Sequence, residues 1–387
     1  AAISRISDVV LSYQYLPAIF AGLASLALFL LTYQITKSYL ASILSMIFFA
    51  SIKSNRNILG LFFFTPLTFA IPLIYLSLFF FIKGWNEKNN RHLLISLAIF
   101  AVIFFVHPVS ATFMIPILVG YALLNRDSWK AHKKPILTVT IIIATLILIK
   151  NANLLWKGSI IDSASFALRL IVFQHGWGNS EVTFNIITLY GPLSTVLAAI
   201  GFHAAYKKRH HLLLLWPISV LSLILLFTLA KFTILAPYQR LLYYLMLGLA
   251  PLSGIGLAAI LQKIKTQLTN KKQSKTTSRA IAILLILITM IVTVAAFQDY
   301  YNPPVRFKLL PLIDYDDYTA IVFLKTLPKS RVLAPPKTSM TIYPIAGHDS
   351  VGSFFVRWKR KEAEKFFKMD SCDKMNNFVT KKKIEYI

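Results

Sequence analysis

One arginine stands at the lip of an apolar run. Pro237-Tyr238-Gln239-Arg240 opens the stretch Leu241 to Leu261, which carries no charge at all. A guanidinium supplies a permanent positive charge and a planar fork of donors, the chemistry that holds a phosphate. Tyr238 and Gln239 beside it are further hydrogen-bonding candidates for the same ligand. The plainer reading is an interfacial arginine that anchors a helix end. Carboxylates, which a general base or a hard divalent cation such as Mg or Mn would require, are scarce. Before residue 298 they are only Asp8, Glu87, Asp127, Asp162 and Glu181.

The elements that must position these groups are hydrophobic spans. Of 387 residues, 56% are hydrophobic and 14% charged, and the apolar residues gather into long runs. A membrane-crossing helix needs about 20 mostly apolar residues, so the class is an all-α polytopic membrane protein with membrane lipids as its surroundings. Ten runs are expected, at 15–36, 39–52, 58–82, 93–106, 109–124, 136–150, 183–206, 212–230, 241–261 and 280–297. His107-Pro108 breaks a run too long for one crossing, which predicts a hairpin with short arms turning at that dipeptide. Gly248, Pro251, Gly254 and Gly256 predict close approach of neighbours to the ninth span.

The net charge of +26 would suggest nucleic acid in a soluble chain, but here the basic residues punctuate the spans, so topology accounts for them and nucleic acid is not an expected partner. One alternating set of loops carries 17 Lys and Arg residues and the other, with the ends, eight before residue 298. Basic loops face the cytoplasm. His107, the loop 151–182 and Arg240 are therefore expected outside, and Asp8, Asp162 and Glu181 are the outward candidates for the catalytic carboxylate. Glu87 and Asp127 fall in inner loops.

The outer loop Asn151 to Thr183 is the longest between spans. It contains an expected interfacial helix, Ile160 to Val172, then Gln174-His175-Gly176-Trp177-Gly178-Asn179. His175 and Trp177 have the composition that hydrogen-bonds and stacks on a sugar ring, although a tryptophan at this depth also serves as an interfacial anchor. His107, at the hairpin tip, is either a base or polar ligand or a helix-capping histidine. No P-loop, GxSxG, HExxH or CxxC pattern occurs, and the single Cys372 excludes an intrachain disulfide.

Ten of the fifteen acidic residues lie beyond residue 298, where apolar runs shorten. Division into a membrane domain, 1–297, and a small extracytoplasmic α/β domain, 298–387, is expected. Its expected elements are helices at 318–327 and 360–368 and strands at 331–334 and 383–387, with Lys381 to Lys383 as a solvated lead-in to the last strand.

Four passages give the chain a family likeness: Tyr15-Leu16-Pro17-Ala18-Ile19-Phe20-Ala21-Gly22; Asn55-Arg56 followed by Phe62-Phe63-Phe64-Thr65-Pro66; Pro237-Tyr238-Gln239-Arg240; and Val332-Leu333-Ala334 with Ala346-Gly347-His348-Asp349-Ser350-Val351-Gly352. The chain resembles the GT-C superfamily of integral membrane glycosyltransferases, particularly relatives of oligosaccharyltransferase catalytic subunits and protein mannosyltransferases. The resemblance implies a polyprenyl-phosphate sugar donor taken from the outer face, an acidic catalytic residue in the first outer loop, and a donor-phosphate role for Arg240, with Arg56 among the substrate-binding candidates. Two features depart from that pattern. The sequence begins at Ala1 without Met and ends on the apolar run Ile384 to Ile387, so both ends are expected to be cut; the first span and first outer loop have no counterpart, so the main carboxylate is expected to lie outside the sequence. The segment Lys53 to Asn57 lacks an acidic residue, and no Trp-Trp-Asp motif follows. The resemblance therefore leaves the metal, the sugar and the acceptor undecided.

The expected function is sugar transfer from a polyprenyl phosphate to an acceptor on the outer face. A transporter or flippase of lipid-linked saccharide would use the same arginine without chemistry, and a non-catalytic assembly partner would use the long loop and outer domain.

Overall fold

The helix that Arg240 opens is the one around which the membrane part packs. The computed structural model describes residues 15–52, 65–125, 190–269, 315–352 and 357–387, together with 145, 172–173, 187, 280, 283–284, 287–288, 291, 294 and 313. These fall in two compact units, one within Tyr15–Lys308 and one within Leu309–Ile387.

In the first unit the elements are α1 (Leu16–Thr36), α2 (Tyr39–Ala50), α3 (Pro66–Asn86), α4 (Asn90–Val106), α5 (Pro108–Leu124), β1 (Val172–Phe173), α6 (Pro192–Lys207), α7 (His211–Ala230), β2 (Thr233–Ile234) and α8 (Tyr238–Thr269). Local chemistry sets their starts. A proline in the first turn, where no amide donor is needed, opens α1, α3, α5 and α6. Thr65 and Thr68 form a reciprocal capping box at α3, and Ser38 and Asn89 cap α2 and α4.

Helices α1, α3, α7 and α8 are long and apolar enough to cross a membrane, while α2, α4 and α5 are shorter apolar helices. At about 1.5 Å per residue, α4 and α5 reach roughly 25 Å, short of a bilayer core of about 30 Å. Each arm of the hairpin has 17 residues. Large apolar side chains such as Ile19, Leu23, Phe105, Val119 and Leu229 face outward, as lipid contact requires. The third span begins at Pro66, later than its apolar run at 58, because Thr65-Pro66 is the stronger start signal. The run 136–150 and most of 280–297 lie outside the described residues.

α8 is buried on nearly all sides, packed chiefly on α6, α2 and α7. Its small residues make this possible. A Cβ on Gly254 would collide with Ser45 of α2, and one on Gly256 with the Leu197 carbonyl of α6. Ser253 Oγ donates to the Ser194 carbonyl (2.9 Å) across the same α6 contact, and Ser45 Oγ donates to the Pro251 carbonyl (3.3 Å) across the α2 contact. Pro251 has no amide to give the Leu247 carbonyl one turn earlier, and Tyr75 Oη of α3 donates to that carbonyl instead, at 3.0 Å.

The second unit contains α9 (Tyr315–Leu324), β3 (Arg331–Val332), α10 (Ser339–Ala346), β4 (Asp349–Ser350), α11 (Arg357–Phe366) and α12 (Cys372–Lys382). β3 pairs with β4 in parallel, and Tyr386 makes a single parallel bridge to Val332. Two small cores flank the pair, Ile321, Val332, Ile342 and Ala346 on one, Leu333, Ala363, Phe366 and Ile384 on the other. The strand expected at 383–387 is corrected to that one bridge. Lys381 and Lys382 are the last turn of α12 rather than a lead-in, with Lys383 left-handed at its end, and Lys382 pairs with Glu362 at 2.9 Å.

Candidate functional site

A locked turn launches α8. Val172 and Phe173 pair antiparallel with Ile234 and Thr233, which ties the two residues to the α8 mouth and makes Val172 a strand residue rather than the end of an interfacial helix. Thr233 Oγ1 donates to the Ala236 carbonyl at 2.6 Å, and Leu235 takes a left-handed backbone, φ 70°, uncommon for a branched residue and held by its surroundings. Its carbonyl accepts from Thr112 Oγ1 of α5 at 3.1 Å. The α4–α5 hairpin and the arginine at the head of α8 are thereby held in register.

On that register a polar chain forms. Ser110 N donates to His107 Nδ1 (3.2 Å), which caps α5, and Ser110 Oγ lies 2.8 Å from the same nitrogen and 2.7 Å from Tyr244 Oη. The Tyr244 ring stacks on Phe113 with centroids 4.3 Å apart, and its carbonyl accepts from Trp216 Nε1 at 2.8 Å. Gly248 makes room for that indole, since a Cβ there would strike its ring. Arg240, Tyr243 and Tyr244 stand at i, i+3 and i+4 on one helix, hence on one face, and Arg240 interacts electrostatically with both tyrosines and with His107. Burial, assisted by the Arg240 charge, pulls the His107 pKa down to about 4, so the ring is neutral. Tyr243 Oη is buried with no hydrogen-bond partner among the described residues.

Arg240 and His107, chosen from sequence as separate candidates, are thus brought together. Of the other two at the helix mouth, Tyr238 is buried and stacks on Phe227 of α7 with centroids 4.2 Å apart, and Gln239 is buried. Arg56, His175 and Trp177 and the carboxylates Asp8, Asp162 and Glu181 lie outside the described residues. Among the described residues no three His, Cys, Asp or Glu side chains converge as metal ligands. A cation site of Mg or Mn type therefore finds no donor set there, and no chemical step below runs through a metal. Ser110, Thr112 and Tyr244 were not singled out from sequence. The local signals for two of them exist, a hydroxyl three residues after His107 and a tyrosine four after Arg240.

Comparison with known proteins follows this geometry. The family described as dolichyl-phosphate-mannose-protein mannosyltransferase matches residues 4–156. The oligosaccharyltransferase of Archaeoglobus fulgidus in its apo form superposes with a TM-score of 0.59 at 13% identity, over 96% of this chain and 57% of that one. The chain shares the fold of that protein. It is also similar in fold to the archaeal oligosaccharyltransferase AglB of the same organism in complex with an inhibitory peptide and a dolichol-phosphate (TM-score 0.56, 13% identity, 96% and 57% covered), and to a complex with Zn and sulfate (0.55, 15%, 96% and 55%). It spans a little over half the length of those proteins. No curated protein matches it in sequence.

Proposed function

We propose that this chain is a GT-C membrane glycosyltransferase that takes a sugar from a polyprenyl-phosphate carrier on the outer face of the membrane, with Arg240 holding the phosphate. The observation that carries the reading is the meeting of Arg240 with the His107-Ser110-Tyr244 chain at a locked helix mouth. The mannosyltransferase family match and the dolichol-phosphate complex of a fold neighbour support the donor class. The loops with few basic residues, His107 and Arg240 among them, face outward, as does the domain from residue 298 onward.

The reaction is substitution at the anomeric carbon. A carboxylate, for which Asp8, Asp162 and Glu181 are the candidates in this sequence, takes the acceptor proton as the new bond forms. The bond from the anomeric carbon to the phosphate oxygen breaks, and charge develops on that oxygen. A guanidinium in a poorly hydrated site stabilises this charge more in the transition state than in the ground state, which lowers the barrier instead of merely tightening binding.

The test is Arg240→Ala in the protein reconstituted with radiolabelled polyprenyl-phosphate sugars. Transfer should fall by about 100-fold or more, the scale of losing one charge-stabilising donor, with membrane insertion unchanged. Turnover near that of the unaltered protein would remove the phosphate role. Vectorial movement of the labelled lipid without any product would indicate a flippase. Chelation by EDTA in the same assay reads the metal requirement.

A further inference from the structure

The C-terminal unit carries a groove of about 680 Å³ between α11 and α12, lined by lysines and by two apolar side chains. Helical spacing builds its walls. Lys361, Lys365 and Lys368 stand at i, i+4 and i+7, and the Lys368 amide continues the last turn of α11 by donating to the Lys365 carbonyl at 3.2 Å. Lys374 and Lys381, seven residues apart, share one face of α12. Seven residues rise about 10 Å, so each wall is a row of ammonium groups of that length. Met369 and Phe378 are the apolar lining, half-buried where the lysines are exposed. Both pack on the core of Leu333, Ala363, Phe366 and Ile384, with the Phe378 and Phe366 ring centroids 5.3 Å apart. The lining is therefore held in place before anything binds.

The charge of the groove is unbalanced. Of its two carboxylates, Glu364 is engaged by Arg360 at 2.8 Å, a hydrogen bond that, with the nearby Lys368 and Lys361, holds it below the usual carboxylate range. Asp370 alone remains against five lysines, and none of the five side chains makes a hydrogen bond or an ion pair among the described residues. Two facing rows of like charge are relieved by an anion between them. A second copy of the chain is a poor occupant, because each carries +26 and repels the other. A bilayer is flat and would touch the rims while leaving the apolar lining in water. An extended polypeptide meets both features. It rises about 3.3 Å per residue and turns successive side chains to opposite sides, so three or four residues fill about 10 Å and neighbouring acids meet opposite walls. Their methylene stems cover Met369 and Phe378, and Asn377, between the two α12 lysines, offers its amide to the peptide backbone.

We propose that the α11–α12 groove docks an extended acidic segment of another polypeptide, whose consecutive Asp and Glu residues are taken alternately by the α11 row and the α12 row. The proposal stands independently of the sugar-transfer reading and of Arg240.

The experiment uses the full chain in phosphatidylcholine nanodiscs and the fluorescein-labelled peptide Gly-Glu-Asp-Glu-Asp-Gly, read by anisotropy. Lys365→Gln and Lys381→Gln, one from each wall, should each weaken the peptide about 3-fold and together about 10-fold. Lys325→Gln removes the same charge from an exposed position outside the groove and should leave affinity unaltered. An equal loss in Lys325→Gln would reveal general attraction to a basic unit and overturn the proposal, as would full affinity in the double variant. A second reading needs no variant. In the unaltered protein the peptide should protect Lys365, Lys374 and Lys381 from acetylation while Lys325 reacts as before; no protection, or equal protection of Lys325, defeats the docking site. Exchanging phosphatidylcholine for phosphatidylglycerol without peptide tests the other occupant. Unchanged lysine reactivity supports a polypeptide, and protection of the same lysines by the anionic lipid alone would make the groove a membrane contact and overturn the proposal.

Discussion

Two histidines in this chain are held by the same device and end differently. At the hairpin tip, His107 Nδ1 accepts from the Ser110 amide; in the C-terminal unit, buried His348 Nδ1 accepts from the Ser330 amide at 3.1 Å. In both, the amide contact leaves Nε2 as the donor nitrogen of the ring. His348 spends that proton on the Leu324 carbonyl, 2.7 Å away, and so staples the end of α9 to the approach to β3. His107 has no such acceptor among the described residues, and its ring feels the Arg240 charge. The difference teaches how to tell a closed structural histidine from one still open to a ligand. The nitrogen that is fixed says little, and the fate of the other decides.

The largest way to break this comparison is to remove the closed staple. His348→Leu leaves the Ser330 amide and the Leu324 carbonyl without their partner, and each buried group so stranded costs about 1–3 kcal/mol. A loss of about 2–4 kcal/mol is expected in the C-terminal unit, read by protection of its amides in hydrogen exchange, with sugar transfer unaltered. A variant that loses transfer but keeps its protection would reverse the assignments of the two histidines.

The Tyr75 bond is a smaller test of the same idea, since it too consumes its only proton on a backbone carbonyl. Tyr75→Phe should cost about 1–2 kcal/mol by stranding Leu247 O. Pro251→Ala restores an amide that reaches the same carbonyl, so it should cancel most of the Tyr75→Phe loss. A double-mutant cycle of denaturation midpoints measures this, and strict additivity would show that Tyr75 is not compensating for the proline.

The contrast also marks what could be read from sequence. Run lengths, the opening prolines and the small residues of α8 are local signals, and the helices Leu16–Thr36, Pro108–Leu124 and His211–Ala230 fall within a residue or so of their apolar runs. Arg240 and His107 were visible as unusual types at helix ends. Their meeting was not, because it depends on Ser110 and Tyr244, 134 residues apart, and on Thr112 reaching Leu235, 123 residues away. In the C-terminal unit, α10 hides behind its internal Pro344 and α12 behind a polar composition. The run Ile384-Glu385-Tyr386-Ile387 alternates like a strand, yet the turn at Lys383 leaves only Tyr386 in register with Val332. Short parallel pairs take their stability from distant partners, which no window of sequence contains.

The smallest expected effect is one of pH, and its sign follows from which form the fold prefers. His107 lies between α4 and α5, its pKa held at about 4 by burial and by Arg240, against an ordinary value near 6.5. The folded protein thus binds a proton less readily than the unfolded chain. The stabilisation is fully present above pH 6.5 and is lost as pH falls from there toward 4. Among the described residues the charged and titratable groups facing the ring are Arg240 and, through Ser110, Tyr244; neither changes charge in that window. Between pH 7 and 5.5 the linkage amounts to about 1 kcal/mol. His107→Asn, which caps α5 and does not titrate, should therefore lose less stability than the unaltered protein over that interval. Parallel melting curves in nanodiscs would show the two converging with acid. If instead they fell together, the proton on His107 would not oppose folding, and the neutral ring on which its pairing with Arg240 depends would have to be abandoned.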